Sequence, residues 1–244
     1  MITNSIRLHH LAIDAAIIDL DGTLIDTLGD FVVALTGMLA DLPLPAAAPR
    51  QVDRAVVERF VGKGSEHLID SVLNHVLAST NADIDAIDIE ALRVAAWQAY
   101  QARYLAINGR HAQVYPGVAE GLEGLRRAGV PMACLTNKPT AFAVPLLAAK
   151  GLDRYFQAVF GGDAFARKKP DPLPLLKACE ALGTLPQRTL MVGDSTNDAQ
   201  AARAAGCPVL LVTYGYNHGE PIRAVDADGY TDSLAGLAAV PGPR

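Results

Sequence analysis

The sequence predicts an α/β fold, a doubly wound parallel sheet carrying one inserted helical segment. Three observations predict it. Short unbroken apolar runs recur along the chain, as strands buried on both faces of a parallel sheet require. Helical stretches that stop on a glycine separate the later runs. A long region with no strand-like run parts the first from the second.

In chain order the strand-like runs are Ala15–Leu20, Val130–Leu135, Ala158–Phe160, Thr189–Val192 and Val209–Thr213. The helices between them are Gly117–Ala128, Thr140–Lys150, Pro172–Leu182 and Ser195–Ala205, followed by Gly129, Gly151, Gly183 and Gly206. Ligands of such a sheet bind outside the carboxyl ends of the strands. In the long gap, Leu28–Leu42, Asp53–Ala78 and Ile89–Asn108 read as helices, interrupted by the prolines after Leu42 and by the polar Ser79–Asp88 stretch. A βα connection is ordinarily a few residues, so this is an inserted helical domain. The expected division is a core of residues 1–26 and 112–244 with an insert of residues 27–111. The Ala235–Arg244 end is expected to fray.

Half of the 244 residues are hydrophobic, enough for a large core, and the net charge is −5 with no basic cluster. That balance argues against nucleic acid as a partner. It leaves small anions open, because a local cation overrides a mildly acidic average. Cys134, Cys179 and Cys207 have no CxxC spacing and read as small apolar residues of a reducing compartment. Met1–Asp14 includes Arg7, His9, His10 and Asp14 and lacks the apolar stretch of a signal peptide. No run reaches the ~20 apolar residues of a membrane span. A cytoplasmic protein, monomer or homodimer, without a membrane partner is the expectation.

The chemistry starts where the first strand ends, at Asp19-Leu20-Asp21-Gly22-Thr23. Residues two apart on a strand share a face, so Asp19 and Asp21 are expected close together. Two such carboxylates repel unless a cation lies between them or one is protonated. Taken alone, Asp-Leu-Asp-Gly also reads as a turn. The layout repeats at Thr189–Val192, which runs into Gly193-Asp194-Ser195-Thr196-Asn197-Asp198. An aspartate at a helix start caps free amides, which accounts for one of these two but not both. Asp19, Asp21 and Asp194 together offer hard oxygen ligands suited to Mg²⁺. Thr136-Asn137 at the end of the second strand can bond phosphate oxygens, or can form a plain turn. Arg167-Lys168-Lys169 supplies ammonium groups for a phosphoryl group, or a solvated surface run. No P-loop, dinucleotide fingerprint or nucleophile elbow occurs.

Asp19-Leu-Asp-Gly-Thr, Thr136, Lys169-Pro and Gly193-Asp-Ser-x-x-x-Asp198, in this order and spread over nearly the whole chain, resemble the four signature motifs of the haloacid dehalogenase-like superfamily. The helical insert resembles its small-type cap on a Rossmann-like core. The resemblance implies that Asp19 is a nucleophile forming an aspartyl-phosphate and Asp21 a general acid and base. It implies that Thr136 and Lys169 hold the phosphoryl oxygens and that Lys169 also restrains Asp19. Mg²⁺ would rest on Asp19, Asp194 and the Asp21 backbone carbonyl, with Asp198 supporting the outer shell.

Asp21 separates the branches of the superfamily, since dehalogenation releases no alcohol to be protonated. A phosphonatase requires a Schiff-base lysine in the cap, where Lys63 is the only lysine. Gly62-Lys63-Gly64-Ser65, Tyr115-Pro-Gly-Val and Gly215-Tyr-Asn-x-Gly-Glu resemble segments of phosphoglycolate phosphatases. That resemblance implies a small-molecule phosphate ester, 2-phosphoglycolate, as substrate, and gives Gly62, Lys63, Gly64 and Asn137 to substrate binding. Lys63 is expected to pair with the substrate carboxylate. The alternatives are a phosphatase of pyrophosphate, a sugar phosphate or a nucleotide, a phosphomutase, or a non-catalytic module. Trp97, Tyr100 and Tyr104 read as the packed face of a helix, and His218 as an exposed loop residue.

Overall fold

The computed structural model describes residues 13–80 and 88–239. The readings of Arg7, His9 and His10, of most of the Ser79–Asp88 stretch and of the last residues of the C-terminal end lie outside them.

The elements are β1 (Ala15–Ile18), β2 (Ile25–Asp26), α1 (Leu28–Asp41), α2 (Arg54–Phe60), α3 (Ser65–Ala78), α4 (Ile89–Ile107), β3 (Gln113–Val114) and α5 (Val118–Arg127). They continue with β4 (Met132–Leu135), α6 (Thr140–Ala149), β5 (Ala158–Phe160), α7 (Leu173–Leu182), β6 (Thr189–Gly193), α8 (Thr196–Ala205), β7 (Val209–Val212) and β8 (Gly229–Thr231). The main sheet runs β5-β4-β1-β6-β7-β8, parallel throughout. The α/β doubly wound expectation holds, and each apolar run carries a strand. The sheet gains an edge strand, β8, that no apolar run announces: Gly-Tyr-Thr is short, polar and paired on one side only. β2 and β3 form a separate antiparallel pair across the two ends of the insert.

β1 lies between β4 and β6, with Ile18 opposite Cys134 on one side and Val192 on the other. The chain winds outward from β1 in both directions, so the crevice of the fold opens at the ends of β1, β4 and β6. The next residues there are Asp19, Thr136 and Asp194.

β1 and β6 are buried along their whole length, which is why they read as continuous apolar segments rather than alternating ones. One apolar cluster joins this sheet to α5 and α6, another joins it to α7 and α8. A third holds α1–α4 together, with Leu35, Met38, Val72, Tyr100 and Tyr104 fully buried. Phe142 of α6 and Tyr216 belong to this third cluster, so the insert is packed onto the sheet layer through aromatic contacts. Tyr100 and Tyr104 face inward as their spacing predicts, and Trp97 is partly buried. Asp53–Ala78 divides into α2 and α3 because Gly62 and Gly64 take φ of 105° and 94°, values that break a helix and favour glycine.

Candidate active site

A partly enclosed cavity lies between the carboxyl ends of the strands and the α1–α3 segment. Asp19, Asp21, Thr136, Lys138, Lys169 and Asp194 line it from below, Phe31, Gly62, Gly64, Ser65 and Leu68 from above. Its free space is about 30 Å³.

β1 ends at Ile18, so Asp19 leaves the sheet as it turns and Asp21 follows at the start of a tight loop. That turn needs Gly22, at φ 84°, where a Cβ would sit 2.0 Å from Asp194 Oδ2. Lys169 Nζ donates to Asp19 Oδ1 at 2.7 Å, to Asp198 Oδ1 at 2.7 Å and to the Leu135 carbonyl at 2.9 Å. Its three protons are thereby fully used. Asp198 Oδ2 accepts from the amides of Asp194 and Ser195 and from the Ser195 hydroxyl, closing a capping box on α8. Asp198 thus fixes Lys169 and the helix start together.

Asp21 is turned the other way. Its Oδ1 accepts from Lys138 Nζ at 2.8 Å and from the Thr27 hydroxyl at 2.7 Å. The Lys138 ammonium lies over the rings of Phe31 and Tyr104, 4.3 and 4.8 Å from their centroids. Asp194 accepts from the Tyr216 amide at 2.6 Å. The Tyr216 hydroxyl donates to Asp26, beside the start of the insert.

Burial, with Asp198 and Asp21 nearby, raises Asp19 to a pKa of about 7 against the opposing pull of Lys169. Asp194 rises well above the carboxylate range, through burial and then through Asp198 and Asp19. For Lys169 burial opposes the charge, but Asp19 and Asp198 outweigh it and the pKa rises. Four aspartates face two ammonium groups, a shortfall of two positive charges that one divalent cation would fill. Asp19, Asp194 and Asp198 offer oxygens within 4.8 Å of one another. Asp198 is already saturated, whereas Asp194 Oδ1 has only a long 3.4 Å contact from Thr23. An all-oxygen set of this kind fits a hard cation.

The structure brings Asp19, Asp21, Thr136, Asn137, Lys169, Asp194, Asp198, Gly62 and Gly64 to one cavity, and leaves Lys63 outside it. Lys63 is exposed and lies on an outer groove with Arg167 and Lys168. The left-handed turns at Gly62 and Gly64 direct the Gly62 carbonyl to the site, where Asn137 Nδ2 meets it at 2.9 Å and Asn197 Nδ2 at 3.2 Å. Asn137 gives its other amide proton to the Lys169 carbonyl at 2.8 Å, so both are engaged. His218 is not exposed as expected: it is half-buried, at φ 54°, with Nε2 3.3 Å from Asn197 Nδ2. Thr136 Oγ1 accepts from the Lys138 amide, which leaves its hydroxyl proton free to donate.

Sequence reasoning passed over Lys138, Thr27 and Tyr216. The signal for Lys138 was its place: it directly follows Thr136-Asn137 in the loop after a central strand. Thr27 and Tyr216 carried no such signal, because their partners Asp21 and Asp26 are met only through the fold.

The model of the haloacid dehalogenase-like hydrolase family matches residues 13–206. Phosphoglycolate phosphatase of Thiobacillus denitrificans is 42% identical over 93% of this chain and 95% of that protein. The plasmid-borne phosphoglycolate phosphatase of Cupriavidus necator is 44% identical over 93% of this chain and 92% of that protein. A crystal structure described as a predicted phosphoglycolate phosphatase of Haemophilus somnus superposes with a TM-score of 0.83 at 31% identity, covering 93% of this chain and 97% of that one. The chain belongs to the haloacid dehalogenase-like hydrolases and, within them, to the phosphoglycolate phosphatase family. Hydrolases of this family that act on phosphates generally use a metal ion, and the aspartate cluster can hold one. Among the described residues no helix is long and apolar enough to cross a membrane.

Proposed function

We propose that the protein is a Mg²⁺-dependent phosphatase that hydrolyses 2-phosphoglycolate to glycolate and phosphate. The observation that carries this reading is the division of the buried charges into two sets. Asp19, Lys169, Asp198 and Asp194 form one. Asp21 with Lys138 and Thr27 forms the other. A nucleophile and a group that exchanges a proton with the leaving oxygen need separate environments. The names of the relatives supply the substrate.

In the first step an Asp19 carboxylate oxygen attacks phosphorus, the bond from phosphorus to the glycolate oxygen breaks, and Asp21 gives that oxygen its proton. In the second, Asp21 takes a proton from water, the water oxygen attacks phosphorus, and the bond to Asp19 breaks to release phosphate. Lys169 orients Asp19 and offsets its charge, and the Thr136 hydroxyl donates to a phosphoryl oxygen. Phosphoryl transfer depends mostly on such positioning and charge neutralisation. Asp19, Asp194 and the Asp21 backbone carbonyl would hold Mg²⁺, which supplies positive charge next to the phosphoryl group.

In this reading residues 27–111 act as a cap on a core of residues 1–26 and 112–244. Gly62, Gly64, Ser65 and Leu68 of the cap form one wall of the cavity, so the cap shields a small substrate from water there. The test is phosphate release with Mg²⁺ from 2-phosphoglycolate, pyrophosphate, hexose phosphates and nucleoside monophosphates. The reading expects kcat/KM for 2-phosphoglycolate well above the others. A flat profile would leave a phosphatase of another small phosphate.

A further inference from the structure

Two lysines reach the cavity, and their bonding differs. Lys169 spends all three protons on Asp19, Asp198 and the Leu135 carbonyl. The Lys138 ammonium, equally buried, makes one hydrogen bond among the described residues, to Asp21. The Phe31 and Tyr104 rings face it at 4.3 and 4.8 Å, and a ring face takes no ordinary hydrogen bond. A buried ammonium with unspent protons is costly unless an acceptor arrives. On the same wall lie Gly64 and Ser65, the start of the 14-residue α3, whose N-cap lacks a side-chain partner. That end of a helix favours negative charge as well.

We propose that Lys138 determines specificity by receiving the carboxylate of a phosphate ester of a 2-hydroxy acid. The inference rests on the phosphatase reading above, in which Asp21 protonates the ester oxygen. Lys138 is bonded to that same Asp21 on its insert-facing side, over Phe31 of α1 and Tyr104 of α4. A carboxylate two bonds beyond the ester oxygen comes within reach of this ammonium. Lys138 keeps its bond to Asp21 and gives a second proton to the carboxylate, while the phosphoryl end lies on Asp19 and Thr136. Lys63, expected from the sequence to do this, is exposed on the outer groove.

The test compares 2-phosphoglycolate with ethyl phosphate, which has a methyl group in place of the carboxylate. In Lys138→Met both substrates lose kcat through the disturbed Asp21. Loss of a charged hydrogen bond further lowers the kcat/KM ratio of 2-phosphoglycolate to ethyl phosphate by about 10- to 100-fold, chiefly in KM. An unchanged ratio overturns the proposal and reduces Lys138 to a positioning residue for Asp21. A ratio that falls instead in Lys63→Met returns the carboxylate to the cap loop and overturns it too. A wild-type protein that shows no preference for 2-phosphoglycolate defeats the substrate reading itself, a separate outcome. If Lys138→Met fails to fold, calorimetric binding to Asp21→Asn and to Asp21→Asn/Lys138→Met decides, since the double variant leaves no orphaned charge. The single variant should prefer 2-phosphoglycolate over ethyl phosphate and the double variant should not. Equal preference in both contradicts the assignment.

Discussion

Replacing Asn137 with alanine isolates the bond that ties the Gly62 loop to the core. The Asn137 amide donates to Gly62 at 2.9 Å and to Lys169 at 2.8 Å, both backbone carbonyls. Losing a bond whose acceptor keeps another donor costs about 1 kcal/mol net, and a buried carbonyl left without a donor costs roughly 1–3 kcal/mol. Gly62 keeps its 3.2 Å bond from Asn197, so the larger penalty falls on Lys169. The sum is about 3 kcal/mol of folding stability, or roughly 6–12 °C in Tm for a chain of this length. Only the Gly62 bond, about 1 kcal/mol, depends on the closed position of the loop, which is about a fivefold shift in its population. Thermal unfolding and steady-state kinetics read the two parts separately. KM for 2-phosphoglycolate should rise about fivefold, and kcat should change less. Asn137→Asp, which turns an acceptor toward both carbonyls, should unfold at a lower temperature than Asn137→Ala. A normal KM together with a lowered Tm would refute the link between this bond and closure.

Other outcomes follow from the same geometry. Asp19→Asn should lower kcat by a factor on the order of 10⁴ or more while leaving the circular dichroism spectrum unchanged. Chelation should abolish turnover, and Mg²⁺ at a hundred times its Kd should stabilise the fold by about 2.7 kcal/mol in thermal scans, a gain that Asp194→Asn loses. Leu35→Ala, in the fully buried face of α1, should destabilise by about 2–5 kcal/mol in urea. Burial and then the charge of Lys63 hold His218 below the ordinary histidine value. The unfolded chain therefore takes up that proton first, and the His218 contribution to stability should fall as pH drops below about 6.5. Asp19 and Asp194 contribute in the opposite direction, because their raised pKa favours the folded chain at lower pH. The difference in unfolding free energy between His218→Asn and the wild type should therefore shift in favour of the variant from pH 7 to 5.

The parts legible in the sequence were those whose physics is local. β1 and β6 are buried on both faces, so each is a continuous apolar run that ends in acid, and Asp19 and Asp194 could be read directly. The helices that stop on glycine were equally plain. β8 stayed hidden because an edge strand pairs on one side and needs no apolar run. The direction taken by Lys63 depends on two left-handed glycines flanking it, and no side-chain pattern encodes that. The pairing of Lys138 with Asp21 joins residues far apart in the chain, and the rings that bury it come from the insert. Motif reading identified the strand ends. Which lysine was saturated and which still had protons to give depended on the packing of the insert over them.

The account turns on a covalent step at Asp19 followed by hydrolysis that needs Asp21. Asp21→Asn treated with p-nitrophenyl phosphate tests both, because this leaving group needs no proton from the protein. The account predicts a burst of one p-nitrophenolate per chain, then slow turnover, with one added phosphoryl group on the peptide containing Asp19. Steady release without a burst, or a phosphoryl group found on another residue, would contradict it.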